Sequence, residues 1–126
     1  MRYLLDTTFI IDHLRGDSGA RARFSAMLGD GDEAFVNEVV VCEAWTGAHL
    51  DGDPDLTALL QVLEFVQPGP EHARLAGKWR REARSRGSTL GMADALIASA
   101  ADSIGAIVLT RNRRDFELTP VRSEDY

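Results

Sequence analysis

Tyr3-Leu4-Leu5-Asp6-Thr7-Thr8 decides the fold. Three apolar residues run straight into a carboxylate and two hydroxyls. A short apolar run of this kind suits a strand buried on both faces of a parallel sheet. In open α/β sheets, ligands bind just beyond the carboxyl ends of the strands. Asp6 falls at that position, so the rest of the chain is expected to fold back toward it.

Outward from this strand, helical and strand-like patterns alternate. Phe9 to Leu14 reads as a short helix, broken at Gly16-Asp17. Gly19 to Leu28 reads as a second helix, and Gly29-Asp30-Gly31-Asp32 as a loop. Ala34 to Asn37 reads as a strand and Val39 to Leu50 as a helix. Asp55 is the expected cap of a helix starting near Leu56, with Leu59, Leu60 and Leu63 turned inward. Phe65-Val66 reads as a short strand before Pro68-Gly69-Pro70. Glu71 to Arg86 is amphipathic, with Ala76 and Trp79 inward and the arginines outward, and Gly87 is its stop signal. Met92 to Ser103 is Ala-rich and reads as a buried helix. Ala106 to Thr110 is the clearest strand, again ending in polar residues. Arg111 to Asp115 reads as a turn, followed by a short tail. Strands alternating with helices predict a parallel sheet covered on both faces.

The bulk properties fit one soluble domain over residues 1–126. The hydrophobic fraction is 44% and the charged fraction 27%. No apolar run approaches the roughly 20 residues needed to span a bilayer. No signal-peptide pattern opens the chain, and Cys42 is the single cysteine, so a reducing cytoplasm is the expected compartment. A net charge of −6 argues against non-specific binding of nucleic acid. The local pattern differs. Positive charge comes almost wholly from arginine, in groups at Arg80, Arg81, Arg84 and Arg86 and at Arg111, Arg113 and Arg114. Arginine forks suit phosphate oxygens. The plainer alternative for the first group is a solvated helix face.

Four acids lie beside apolar sequence where such a fold gathers residues: Asp6, Glu43, Asp94 and Asp115. Each has an ordinary alternative. Asp94 can complement a helix N-terminus. Asp6 can form a local Asx turn. Glu43 can be an exposed helix acid, and Asp115 can pair with an arginine. Together they point elsewhere. Converging carboxylates repel one another, and such a cluster persists when a proton or cation compensates it. Hard divalent cations take oxygen ligands, and Mg²⁺ keeps several waters beside a few carboxylates. Other chemistries fit poorly. His13, His49 and His72 have no zinc spacing and read as surface or satisfied residues. Cys42 lies after Val39-Val40-Val41 and reads as an inert core thiol. No GxSxG, P-loop or GxGxxG occurs.

These motifs resemble a known family. Leu4-Leu5-Asp6-Thr7-Thr8-Phe9-Ile10-Ile11-Asp12, then Glu43, then Asp94-Ala95-Leu96-Ile97-Ala98, then Leu109-Thr110-Arg111-Asn112-Arg113-Arg114-Asp115-Phe116 are similar to the PIN-domain ribonucleases. Among these the likeness is to VapC toxins of toxin–antitoxin pairs, and it runs nearly end to end. The resemblance implies a three-layer α/β/α domain with a mainly parallel sheet, usually homodimeric. It implies a Mg²⁺- or Mn²⁺-dependent endoribonuclease acting on RNA. It implies a cognate VapB-type antitoxin that blocks the site and binds DNA in the complex. Asp6, Glu43 and Asp94 carry over directly as catalytic acids, with Thr7 a supporting hydroxyl. Asn37 stands where the family often has serine, and has a positioning role at most. The last motif offers both Asn112 and Asp115. Asp115 carries charge and has Phe116 to anchor it, so it is placed at the metal with Asp6 and Asp94, and Asn112 beside it. Arg111, Arg113 and Arg114 are candidate RNA contacts. Trp45 and Trp79, on helices a small monomer covers poorly, are candidate dimer contacts. Three rivals remain: a metal-dependent phosphatase of small esters, a non-enzymatic receiver-like domain, which lacks its expected lysine after a late strand here, and a binding protein that acts only through its partner on DNA, which an intact acidic set argues against as the sole function.

Overall fold

The computed structural model describes residues 1–126. The chain runs β1 (Arg2–Leu5), α1 (Thr7–Leu14), α2 (Ser18–Gly29), β2 (Glu33–Asn37), α3 (Glu38–Thr46), α4 (Pro54–Gln61) and β3 (Glu64–Val66). It continues through α5 (Pro70–Ser85), α6 (Met92–Ile104), β4 (Ile107–Leu109), α7 (Arg113–Phe116) and β5 (Ser123–Glu124). The five strands form one sheet in the order β3-β2-β1-β4-β5, and every pairing is parallel. All strands therefore present their carboxyl ends to the same edge.

The centre of the sheet is buried on both faces. Tyr3, Leu4 and Leu5 of β1 and Ile107, Val108 and Leu109 of β4 are all buried, although successive side chains point to opposite sides. Helices therefore cover both faces, giving the three-layer α/β/α arrangement. The small residues of α6 let it lie close. Ala95, Ala98, Ala100 and Ala101 are all fully enclosed. α6 stops at Gly105, whose φ of 63° places it in the left-handed region that glycine adopts without strain.

Several expectations need correction. Cys42 is exposed, not core. Val40 and Ala44, one helical turn apart, carry the buried stripe of α3, which turns Cys42 outward. α3 ends at Thr46, capped by Gly47, and does not reach Leu50. Asp53, not Asp55, caps α4. Its Oδ1 accepts from the N–H groups of Asp55 and Leu56 at 3.0 and 3.2 Å, and Pro54 takes the first helical position, where it is pre-organised. α1 starts at Thr7 because Asp6 caps it. The segment after β4 forms a single helical turn, α7, instead of a plain turn. The tail supplies β5, which pairs with Val108 and Leu109. Trp79 is buried within the single chain, so it offers no surface for a second copy, whereas Trp45 is only partly covered. His13 is not satisfied. It packs edge-on against Phe24 with ring centres 4.9 Å apart, and its Nδ1 is buried without a partner. No helix is long and apolar enough to cross a membrane.

Candidate active site

Asp6 leaves the carboxyl end of β1 and at once becomes the N-cap of α1. Oδ1 accepts the N–H of Thr7 at 2.8 Å. Oδ2 accepts the hydroxyls of Thr110 at 2.7 Å and Thr8 at 3.2 Å. Thr110 follows β4, the strand next to β1, so two neighbouring strand ends fix one carboxylate. Burial raises the Asp6 pKa, the hydrogen bonds from Thr110, Thr7 and Thr8 hold it down, and the Glu43 charge adds to the rise.

Glu43 reaches the same edge from α3. The Thr7 hydroxyl donates to its Oε1 at 2.8 Å, tying α3 to the start of α1. Asn37 sets the origin of that helix. Its Oδ1 accepts the N–H of Val40 at 3.1 Å as N-cap, and its amide donates to the Leu96 carbonyl of α6 at 3.4 Å. Asn37 thus joins the helix that carries Glu43 to the helix that carries Asp94.

Asp94 sits in the first turn of α6. Its carboxyl is pushed up to about 6, first by burial and then by the charges of Asp6, Asp115 and Glu43. The four predicted acids therefore share one electrostatic site. Asp115 projects from α7, whose Phe116 is completely buried. Asn112 precedes that helix without a side-chain cap bond, and its N–H donates to the Thr110 hydroxyl at 2.9 Å. The same Thr110 oxygen thus accepts from Asn112 and donates to Asp6.

None of the four acids is neutralised by a protein cation. The chain's ion pairs lie elsewhere, at its amino terminus, along α5 and around Asp12, Asp17 and Glu124. No three of the carboxylates close into a ready cage for a dehydrated ion. The donor set is nevertheless all oxygen, negative and uncompensated. It fits a Mg²⁺- or Mn²⁺-sized cation that keeps part of its water shell.

The predicted arginines divide. Arg111 is engaged within the protein. Its Nη2 lies 2.7 Å from Asp17 and its Nε 3.6 Å from Asp12, and the guanidinium stacks 4.6 Å from the Tyr126 ring centre. Two carboxylates already occupy this fork, so Arg111 is a brace and not a free phosphate contact. Tyr126 completes the brace by donating to Asp12 at 2.7 Å. Gly19 leaves room for it, since a Cβ there would lie 3.2 Å from both Arg111 and Asp17. Arg113 and Arg114 are exposed on α7. Sequence reasoning missed Thr110 and Thr8 as partners of Asp6, and missed the Arg111–Asp12–Asp17–Tyr126 brace.

The chain is similar to known proteins over nearly its whole length. The PIN domain family model matches residues 3–121. The chain is 31% identical to "Ribonuclease VapC19" of Mycobacterium tuberculosis over 117 residues, 93% of this chain and 94% of that protein. It superposes on a structure of VapBC2 from Rickettsia felis bound to a promoter DNA fragment, with a TM-score of 0.84 at 20% identity over 100% of this chain and 99% of that one. A DNA-bound VapBC structure from Salmonella typhimurium gives a TM-score of 0.80 at 26% identity, covering 99% and 98% of the two chains.

Proposed function

The chain belongs to the PIN-domain family, among the VapC-type ribonucleases, and from that premise we infer that it is the toxin of a VapBC-type pair, a Mg²⁺- or Mn²⁺-dependent endoribonuclease. One observation carries the chemical part of this reading. Four carboxylates share one sheet edge, burial and then the charges of the other three push the pKa of Asp94 up to about 6, and no protein cation offsets them. Asp6, Asp94 and Asp115 would hold the cation, with Glu43 beside them. Such an ion lowers the pKa of a bound water and neutralises charge developing on the phosphodiester.

The chain's own residues do the rest. The Thr110, Thr8 and Thr7 donors fix both oxygens of Asp6, so the carboxylate needs no reorganisation when the site fills. Thr7 holds one Glu43 oxygen and leaves the other free to accept a proton from a water positioned for in-line attack. Arg113 and Arg114 supply phosphate contacts beside Asp115, which reconciles an acidic protein with an anionic substrate. No histidine is needed as base.

The partners follow the same reading: single-stranded RNA as substrate, a VapB-type antitoxin over the site, DNA only through that complex, a second copy of this chain, and action in the cytoplasm. The receiver-like alternative is not supported. In that sheet β1 lies between β2 and β3, whereas here it lies between β2 and β4. No observation favours the small-ester phosphatase.

Expression of the chain without an antitoxin tests the proposal. Growth is expected to arrest, with new RNA 5′ ends appearing within minutes, and Asp94→Asn is expected to abolish both. Arrest that persists with Asp94→Asn, or arrest without new RNA ends, overturns it.

A further inference from the structure

A cleft of about 290 Å³ opens between the second half of α5 and the segment leading into α6. It is lined by Gly77, Arg80, Arg84, Ser88, Thr89 and Leu90. Gly77, Arg80 and Arg84 recur at helical spacing, so α5 presents them on one face. Arg80 is set in place by its Nε, which donates to the Leu90 carbonyl at 3.0 Å. The rest of its guanidinium is left for another partner.

Two features distinguish this cleft from an ordinary solvated helix face. Arg74 and Lys78 have acidic partners on α5, Glu71 and Glu82, whereas Arg80 and Arg84 form no ion pair, and neither does Arg81, which does not line the cleft. Like charges one turn apart repel by a few tenths of a kcal/mol. Nothing within the chain relieves that repulsion here. The side-chain hydrogen bonds of the region are Arg80–Leu90 and Ser85–Glu82, and neither the Ser88 nor the Thr89 hydroxyl joins them. The second feature is Gly77. Glycine inside a helix costs about 1 kcal/mol relative to alanine. No close packing requires it, since a Cβ there would meet nothing within 4 Å. A larger side chain at this position would project into the cleft.

Two arginines without acidic partners, two free hydroxyls and an open floor make a receptor for a phosphate group. The cleft also borders the segment that leads into Asp94. Leu90 precedes Asp94 by four residues, so the chain between them spans at most roughly 14 Å. We propose that Arg80, Arg84, Ser88 and Thr89 hold a backbone phosphate of the RNA strand a few nucleotides from the bond that is cut. The proposal rests on the ribonuclease reading and extends it with a subsite that grips the strand outside the metal centre. Opposite charges then divide the work, acids for the cation and arginines for the strand.

The test is binding of fluorescein-labelled single-stranded RNA 12-mers of random sequence to the Asp94→Asn protein in EDTA, as a function of salt. In that background Arg84→Gln is expected to weaken binding about fivefold and to lower the salt slope by about 0.7, the loss of one phosphate contact. Gly77→Leu, which fills the cleft without changing charge, is expected to weaken binding similarly while keeping or raising the melting temperature. Arg74→Gln removes the same charge from the far end of α5 and is expected to change affinity less than about twofold. Unchanged affinity and slope in Arg84→Gln overturn the proposal. So does an equal loss in Arg74→Gln, or normal binding by Gly77→Leu, because the effect is then only a surface charge. RNA cleavage by the unmutated chain, run in parallel, separates the two readings. If that chain cleaves RNA while the variants bind normally, the subsite alone fails. If it neither binds nor cleaves RNA, both fail.

Discussion

The Thr110 hydroxyl, at the end of β4, donates to Oδ2 of Asp6, at the end of β1, at 2.7 Å. The two residues are 104 positions apart and both are buried. The same hydroxyl accepts the Asn112 N–H at 2.9 Å, so one atom couples the central carboxylate to the start of the helical turn that carries Asp115. Partners that orient a metal-binding carboxylate typically matter nearly as much as the carboxylate.

Thr110→Val removes this donor while keeping the shape of the side chain. It is expected to lower cleavage roughly 10- to 100-fold and to destabilise the fold by about 2 kcal/mol, because a buried carboxylate loses its shortest hydroxyl bond. Thr110→Ser is expected to restore most of both. Urea unfolding and single-turnover cleavage check it. Full activity in Thr110→Val means the contact does not orient Asp6.

A second prediction concerns pH. The Asp94 carboxyl is pushed up to about 6 in the folded chain by burial and by its acidic neighbours, against about 3.9 when unfolded. The folded state therefore holds the proton more tightly. The stability this contributes is complete below the unfolded value and is lost as pH rises through about 6. The metal-free protein gains stability at this site between pH 7.5 and pH 5. Asp94→Asn, which cannot ionise, is expected to be about 1 kcal/mol more stable than the parent at pH 7.5, the half-buried position allowing solvent to screen part of the repulsion. Thermal melting of both proteins across this range isolates the carboxyl. Parallel pH curves contradict it.

Asp115 and Asn112 are separable in the same way. The Asp115 charge acts directly on Asp94, whereas Asn112 is joined to the site through its backbone bond to Thr110. Asp115→Asn is expected to weaken Mn²⁺ binding and activity together, and Asn112→Ala to lower activity with less effect on Mn²⁺ affinity. Calorimetric titration of Mn²⁺ into both variants decides it. The reverse pattern exchanges the two roles.

Much of this arrangement was legible in the sequence because it is local. The apolar run of β1 ends in its own acid, and the Ala-rich α6 carries Asp94 in its first turn. What escaped sequence reading depends on distant partners. β5 is two residues long and has no apolar pattern, so only its pairing with β4 reveals it. The valine run suggested a buried Cys42, but the burial of α3 follows Val40 and Ala44, which leaves the thiol outside. Arg111 sits in an arginine cluster that reads as a phosphate site. Its partners Asp12, Asp17 and Tyr126 come from α1, the α2 cap and the tail, and they assemble only on folding.

The most direct test of the account is cleavage of total cellular RNA by the purified chain, free of antitoxin, with the metal supply controlled. Cleavage is expected with Mg²⁺ or Mn²⁺, to stop in EDTA, to return when Mn²⁺ is added in excess, and to be absent from Asp6→Asn and Asp94→Asn proteins that retain their fold by circular dichroism. Full-rate cleavage in EDTA, or cleavage by either folded variant at the rate of the parent, contradicts a carboxylate-held cation as the working centre of this protein.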